Sequence, residues 1–425
     1  MINVLVFPCG SEIGLEIHSA LKYAKDVRLY GASSTTDHGE FVYARYRQVD
    51  ADTTSPDLVE HLNRLVSEWA IDVILPAHDS VIPILAFAGD RLAARAAVPP
   101  VDVASICRNK NLTYRRFADF SWVPRAIPEI DTAYPIFAKP AVGQGSNGAE
   151  IVRDASRHAY LRQLEEEYVF SEYLPGAECT IDCISDASGR LLHTSPRRRV
   201  RIKSGISVRT VPSERDSRLD AMAHSIAQAL GLKGAWFFQA RQDVEGQYKL
   251  LEIAPRIAGS MALSRNQGIN YPLLTVYAYL EREFRLLPQT YPIVLERAYR
   301  NRFRIDLDYN HVYVDLDDTL LIRGQVNPLL IRLLYQWKAR GIGISLVTRH
   351  NRCPQTTLAS YHISRTLFDE VIHVVDGAPK SSVMGKYRHA IFIDDSFSER
   401  AEVSRHLGIP VFDLDSIEQL VDDRL

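Results

Sequence analysis

The chain opens on an apolar run, residues 3–8, of the kind that forms a buried strand. Ile13, Ile17, Ala20 and Leu21 then recur at helical spacing across residues 12–23. A second strand is expected at residues 27–31. Residues 58–70 set Leu58, Leu62, Leu65, Val66 and Trp69 on one face of a helix, and residues 71–77 read as a strand again. This rhythm predicts a small parallel sheet over residues 1–105. From 106 to 300 the pattern changes to short alternating strands joined by turns, with one clear helix at 217–230. From 301 to 425 the strand–helix rhythm returns, with strands at 311–315, 343–348, 390–394 and 409–413 and a helix at 329–340. The basic stretch 297–306 reads as a linker, and no internal repeat or low-complexity tract appears.

A chain of 425 residues is too long for one core, so several domains are expected. The net charge of −2 lacks the basic bias of a nucleic-acid or anionic-membrane surface. The N-terminus carries no basic leader or cleavage site, and no apolar stretch is long enough to span a bilayer. The five cysteines are odd in number and form no CxxC, which argues against a disulfide framework or a zinc site. The expectation is a soluble, reduced, cytoplasmic protein without nucleic-acid or membrane partners, and a homo-oligomer is compatible with it. Residues 9–14, Cys-Gly-Ser-Glu-Ile-Gly, place glycines between strand and helix as a phosphate-binding turn does. A tight turn needs glycine for its own sake, so both readings stay open.

Candidate chemistry starts at residues 138–152. Gly143, Gly145 and Gly148 formally match GxGxxG, but residues 149–154 read as a strand and not as a Rossmann helix. A glycine-rich loop between two antiparallel strands can instead fold over a triphosphate and donate backbone N–H groups. Lys139, on the entering strand, then meets the phosphates as a point charge. A flexible surface hairpin is the plain alternative. Farther on, Gln239 ends one strand and Glu252 lies on the next, where two oxygen side chains can hold Mg²⁺ against phosphate. Arg256 comes after a strand-ending proline and is placed to neutralise a transferring phosphoryl group. Arg197, Arg199 and Arg201 share one strand face, which suits an anionic substrate, although a solvated face explains them equally.

In this order the motifs resemble the ATP-grasp superfamily, in particular its carbamoyl-phosphate-synthase-like branch, over about residues 1–290. The resemblance implies a Rossmann-like domain (1–105) and then an ATP-grasp domain (106–300) of two α+β subdomains that grip ATP between antiparallel sheets. It implies that Lys110 and Lys139 contact phosphates under the loop Gly143, Gly145, Ser146, Gly148. Glu172, Tyr173 and Leu174 would form the hinge at adenine, and Glu178 would meet ribose. Gln239 and Glu252 would bind Mg²⁺, and Arg256 would assist transfer. The family usually reads Glu-x-Asn-Pro-Arg, whereas here Ala254 replaces the asparagine, and alanine cannot coordinate. The implied chemistry is attack of a carboxylate on the γ-phosphate of ATP, then displacement of phosphate from the acyl phosphate by an amine or similar nucleophile.

In the last segment an apolar strand runs into Asp315, with Asp317 and Thr319 beyond it. One carboxylate there can act as nucleophile and the other as acid/base. Carboxylates this close repel unless a cation sits between them, which argues for Mg²⁺. Thr348 ends a second strand, Asp394 and Asp395 end a third, and Lys380 stands between. These residues resemble the haloacid dehalogenase superfamily over about residues 306–425. The resemblance makes Asp315 the phosphoryl acceptor, Asp317 the general acid/base, Thr348 and Lys380 phosphate holders, and Asp394 a Mg²⁺ ligand supported by Asp395. The intervals from Asp317 to Thr348 and from Thr348 to Lys380 are too short for a sizeable cap, so a capless Rossmannoid phosphatase (301–425) is expected. The whole chain then reads as an α/β and α+β multidomain, bifunctional enzyme: an ADP-forming ligase fused to a Mg²⁺-dependent phosphatase. An ATP-grasp kinase of a small acceptor and a nucleotide-binding regulator without turnover are the rival readings.

Overall fold

The computed structural model describes all residues except Gln144, Ser146, Ser204, Gly205, Tyr299, Asp376 and Leu425. The chain separates into two compact units, Met1–Arg300 and Asn301–Leu425. No helix among the described residues is long and apolar enough to cross a membrane.

The first unit begins with a five-stranded sheet in the order Tyr46–Gln48, Val27–Ser33, Ile2–Phe7, Val73–Pro76, Arg95–Ala96. Every pairing in it is parallel. Alternation along Ile2–Phe7 sends Val4 and Val6 to one core and Leu5 and Phe7 to another. The amphipathic helix Leu58–Trp69 covers the second face through Leu58, Leu62, Leu65 and Val66. The helix Glu12–Leu21 covers the first.

The turn at residues 9–14 is filled by the protein itself. The Asp37 carboxylate accepts from Gly10 N at 3.2 Å and Gly39 N at 2.9 Å, and a Cβ on Gly10 would lie 2.0 Å from it. Ser11 caps the helix by accepting from Gly14 N. The glycines there serve close packing.

Two antiparallel sheets come next. One has three strands, Glu150–Val152, Ile136–Pro140 and Tyr168–Glu172. The other has six, in the order Tyr248–Ala254, Gly234–Gln242, Glu178–Ser185, Leu191–Lys203, Ile206–Pro212, Leu295–Glu296. The helix Ser217–Leu230 packs its apolar face on the six-stranded sheet. Sequence reading saw only that helix in the segment, yet Lys110–Arg116, Ala155–Arg162 and Tyr271–Tyr279 are helical too. Tyr271–Tyr279 is apolar on nearly all sides and so shows no helical period. Its Tyr271, Leu274 and Val276 share a core with Val4 and Val73 of the first sheet and with Phe237 and Ala254 of the six-stranded one.

The second unit is a parallel sheet ordered Glu370–His373, Gly343–Thr348, His311–Val314, Ala390–Ile393, Val411–Phe412. Helices Pro328–Ala339 and Phe397–Leu407 flank it. The chain after Asp317 passes through a two-stranded ribbon, Leu321–Ile322 with Gln325–Val326, before that first helix. Each described core of this unit is built from its own residues.

Candidate functional site

A cavity of about 680 Å³ lies in the first unit between the two antiparallel sheets and the carboxyl edge of the parallel sheet. Lys110, Lys139, Gly143, Gly145, Glu172, Tyr173, Leu174, Glu178, Gln239, Glu252 and Arg256 all line it. Gly148 lies in the same loop; Ser146 falls outside the described residues.

That loop joins antiparallel strands Ile136–Pro140 and Glu150–Val152. Gly145 and Gly148 take φ of +64° and +71°, which side chains with a Cβ rarely adopt, and a Cβ on Gly148 would come within 2.8 Å of Pro140. Lys139 points inward from the first strand. A bulge in the facing sheet anchors it: Gln239 pairs with Glu252 and Ala240 with Leu250, leaving Leu251 over. The Leu251 carbonyl accepts from Lys139 Nζ at 2.8 Å, and Tyr114 Oη accepts from the same ammonium at 2.8 Å. Burial lowers the Lys139 pKa to about 8, against the opposing pull of Glu252 and Glu178. Lys110 donates to Gly143 O at 3.3 Å and is likewise lowered by burial.

The floor of the cavity is a row across four strands. Glu252 faces Gln239, Gln239 faces Thr180, and Thr180 faces Arg197. Directly opposed residues in antiparallel strands share a sheet face. Among the described residues, neither Glu252 nor Gln239 makes a side-chain hydrogen bond or ion pair, and the buried Thr180 Oγ1 has no hydrogen-bond partner. A carboxylate, an amide oxygen and an orphaned hydroxyl together are a donor set that fits a hydrated Mg²⁺ with phosphate oxygens. Ala254, at the position where the family pattern has asparagine, adds no ligand.

Several charged groups are less free than their sequence positions promised. Arg197 is buried and bidentate on Asp182, at 2.7 and 2.9 Å. Arg199 meets Glu178 at 3.1 Å, and Arg201 pairs with Glu296. The expected cationic strand face is therefore largely neutralised by carboxylates, and bulges on either side of Arg201 break its register. Glu178 is engaged by Arg199, and Glu172 Oε1 accepts from Arg125 N at 2.8 Å. Arg256 is held by Asp79 at 2.7 and 2.6 Å. Arg297, inside the stretch read as a linker, lines the cavity, and only Ser207 O, at 3.3 Å, receives its guanidinium among the described residues. Sequence reading missed Asp79, Thr180 and Arg297, because none of them belongs to a recognisable motif and only folding brings them to the cavity.

In the second unit, Asp315, Asp394 and Asp395 bring ligand oxygens within 4.8 Å of one another at the strand ends. Lys380 Nζ bridges Asp315 at 2.7 Å and Asp394 at 2.6 Å. Burial, with the Asp394 charge, pushes the Asp315 carboxyl up to about 7 against the pull of Lys380. Asp395 Oδ1 accepts from Thr319 Oγ1 at 3.1 Å. Thr348 is fully buried, and its Oγ1 accepts from His350 N at 3.1 Å. Asp317, expected among the metal ligands, stands outside the cluster. Its carboxylate is 2.9 Å from His350 Nδ1, and Nε2 of that ring reaches Thr357 at 2.8 Å. His350 is a further residue the motif reading did not contain.

The family described as "ATP-grasp in the biosynthetic pathway with Ter operon" matches residues 165–297. No curated protein matches the chain. Among solved structures, a pyruvate carboxylase of Rhizobium etli is 17% identical with a TM-score of 0.56, covering 67% of this chain and 29% of that one. The biotin carboxylase domain of 2-oxoglutarate carboxylase from Hydrogenobacter thermophilus, in complex with MgADP, ADP and bicarbonate, is 13% identical with a TM-score of 0.55, covering 68% and 71%. An L-amino acid ligase of Bacillus licheniformis is 18% identical with a TM-score of 0.53, covering 68% and 75%. At such identities the likeness is one of fold. The chain is a mixed α/β multidomain protein with an ATP-grasp fold, and it spans less than a third of the pyruvate carboxylase.

Proposed function

We propose that the first unit is an ATP-dependent, ADP-forming ligase that activates a carboxylate as its acyl phosphate and passes it to an amine or similar nucleophile. The observation that carries this reading is the convergence of Lys110, Lys139, Gln239, Glu252 and Arg256 on one cavity beneath a glycine hairpin. The lysines take the triphosphate as charge partners. Glu252 and Gln239 would hold Mg²⁺, which neutralises phosphate oxygens. A substrate carboxylate oxygen attacks the γ-phosphorus while the bond to the bridging oxygen breaks and ADP leaves. The nucleophile then adds to the acyl carbon and inorganic phosphate departs. Such transfer asks the protein chiefly for alignment and charge stabilisation. The neighbours with MgADP bound or named as ligases support the nucleotide and the reaction class. Purified chain, given MgATP with pools of carboxylates and amines, is expected to release ADP and phosphate. Release of AMP and pyrophosphate instead refutes the acyl-phosphate route.

A second reading concerns the second unit. The Asp315, Asp394 and Asp395 cluster with Lys380 favours a phosphatase in which the Asp315 carboxylate attacks phosphorus. Asp394 and Asp395 would help hold Mg²⁺ beside it. Asp317, exposed and steadied by His350, protonates the leaving oxygen and then takes the proton of the hydrolytic water.

A further inference from the structure

Arg256 is gripped from a different sheet. Its partner Asp79 lies 177 residues earlier, just past the strand Val73–Pro76. That is the carboxyl edge of a parallel sheet, where α/β folds place functional groups. Both side chains are largely buried, at 12% and 18% exposure. Burial raises the Asp79 carboxyl, but Arg256, with help from Arg108 and His78, more than offsets it, so Asp79 is held below the usual carboxylate range and stays ionised.

A guanidinium has five N–H donors. Nε and Nη2 go to Asp79 at 2.7 and 2.6 Å, and Nη1 donates to Ile257 O at 3.0 Å. Phe237 underlies the group, with the guanidinium carbon 5.1 Å from the ring centroid. Fixed by two edges and one face, the group keeps two N–H donors that no described residue takes up, and it lines the cavity that Glu252 and Gln239 also line.

We propose that Asp79 is a positioning residue for phosphoryl transfer: it aims the remaining donors of Arg256 at the γ-phosphate of bound ATP. The proposal rests on the nucleotide reading above. Asp79 cancels much of the net charge of Arg256, so what the guanidinium contributes is directed hydrogen bonding. The parallel sheet is on this account part of the catalytic centre.

The test compares binding of MgADP with that of the magnesium complex of a β,γ-imido ATP analogue to the full chain, by calorimetry. Wild type is expected to bind both, the analogue more tightly. Asp79→Asn and Arg256→Lys are each expected to weaken the analogue about tenfold, the loss of one charge-assisted contact, with MgADP changed less than about twofold. Asp79→Glu is expected to keep most of the discrimination, and the double variant Asp79→Asn/Arg256→Lys to lose no more than Arg256→Lys alone. Unchanged analogue binding in Asp79→Asn, or equal weakening of both nucleotides, overturns the proposal and leaves the pair a structural tie. If Asp79→Asn does not fold, Arg256→Lys and Asp79→Glu decide: retained discrimination in Arg256→Lys overturns the proposal, and its loss with retention in Asp79→Glu supports it. A wild type that binds neither nucleotide overturns the nucleotide reading itself, a result distinct from the others.

Discussion

At the scale of single residues, burial sets the chemistry. Lys139 sits in a dry wall with a tyrosyl oxygen and a carbonyl as its neighbours, so its ammonium gives up its proton near pH 8. The cation is the form that attracts a triphosphate. Nucleotide affinity is therefore expected to be steady below pH 8 and to fall as pH rises through it, whereas Lys139→Ala should be weak, by about tenfold or more, and should change less than wild type across pH 8. Calorimetric titration of MgATP from pH 7 to about pH 9.5 measures both. Arg197 is different in kind: it balances the fully buried Asp182. Arg197→Met strands that carboxylate and should cost about 3–5 kcal/mol in urea unfolding, because an uncompensated buried charge has no water to turn to. The sequence set Lys139 beside a glycine-rich loop as a phosphate contact and Arg197 on a cationic strand face, and nothing in the spacing of Arg197 shows that it is a brace for Asp182.

At the scale of elements, the helix Tyr271–Tyr279 shows how the sheets are joined. Thr275 Oγ1 accepts from Ala235 N at 2.9 Å, at the entry to the strand that carries Gln239. It also donates to Tyr271 O at 2.8 Å, so the hydroxyl satisfies a buried N–H from inside an apolar helix. Gly234 precedes it at a φ of +65°, and a Cβ there would press on Thr275 at 2.8 Å. Thr275→Val keeps the shape but leaves the Ala235 N–H unpaired. Stability measured by urea unfolding is expected to fall by about 1–3 kcal/mol. Elements with a clear period were legible in the sequence: residues 58–70 became Leu58–Trp69, and 217–230 became Ser217–Leu230. Tyr271–Tyr279 was not, because a helix apolar on nearly all sides has no polar face to reveal its turn.

At the scale of the whole molecule, the two units have separate cores. Every described cluster of the second unit draws on residues beyond 301, and the others draw on residues of the first. A fragment spanning residues 301–425 is therefore expected to fold alone, which circular dichroism with a cooperative thermal transition would check. With Mg²⁺ it should hydrolyse a generic aryl phosphate, and EDTA should abolish that activity. On the proposed phosphatase reading, Asp315→Asn keeps the shape but removes the nucleophile, so turnover should drop by orders of magnitude, with MgATP binding by the full chain unchanged. A folded but inert fragment would make this unit a binding appendage.

The sequence alone determined the parts whose signal is local. Alternation and helical spacing marked most strands and helices, and the glycines of 143–148 with a strand directly after them marked a hairpin in place of a Rossmann turn. The spacing of Asp315, Thr348, Lys380 and Asp394 marked polar groups around strand ends, and the structure brings these residues to one edge of one sheet. Partner choice was decided only in three dimensions. Asp37 fills the first glycine turn, Asp182, Glu178 and Glu296 neutralise the arginine strand, His350 draws Asp317 aside, and Asp79 grips Arg256. The reason is physical. Whether a charge is available depends on which opposite charge comes within about 4 Å of it and on how much water is excluded there. In this chain those partners come from other strands and loops, in the case of Arg256 from 177 residues away, and periodicity carries no record of them.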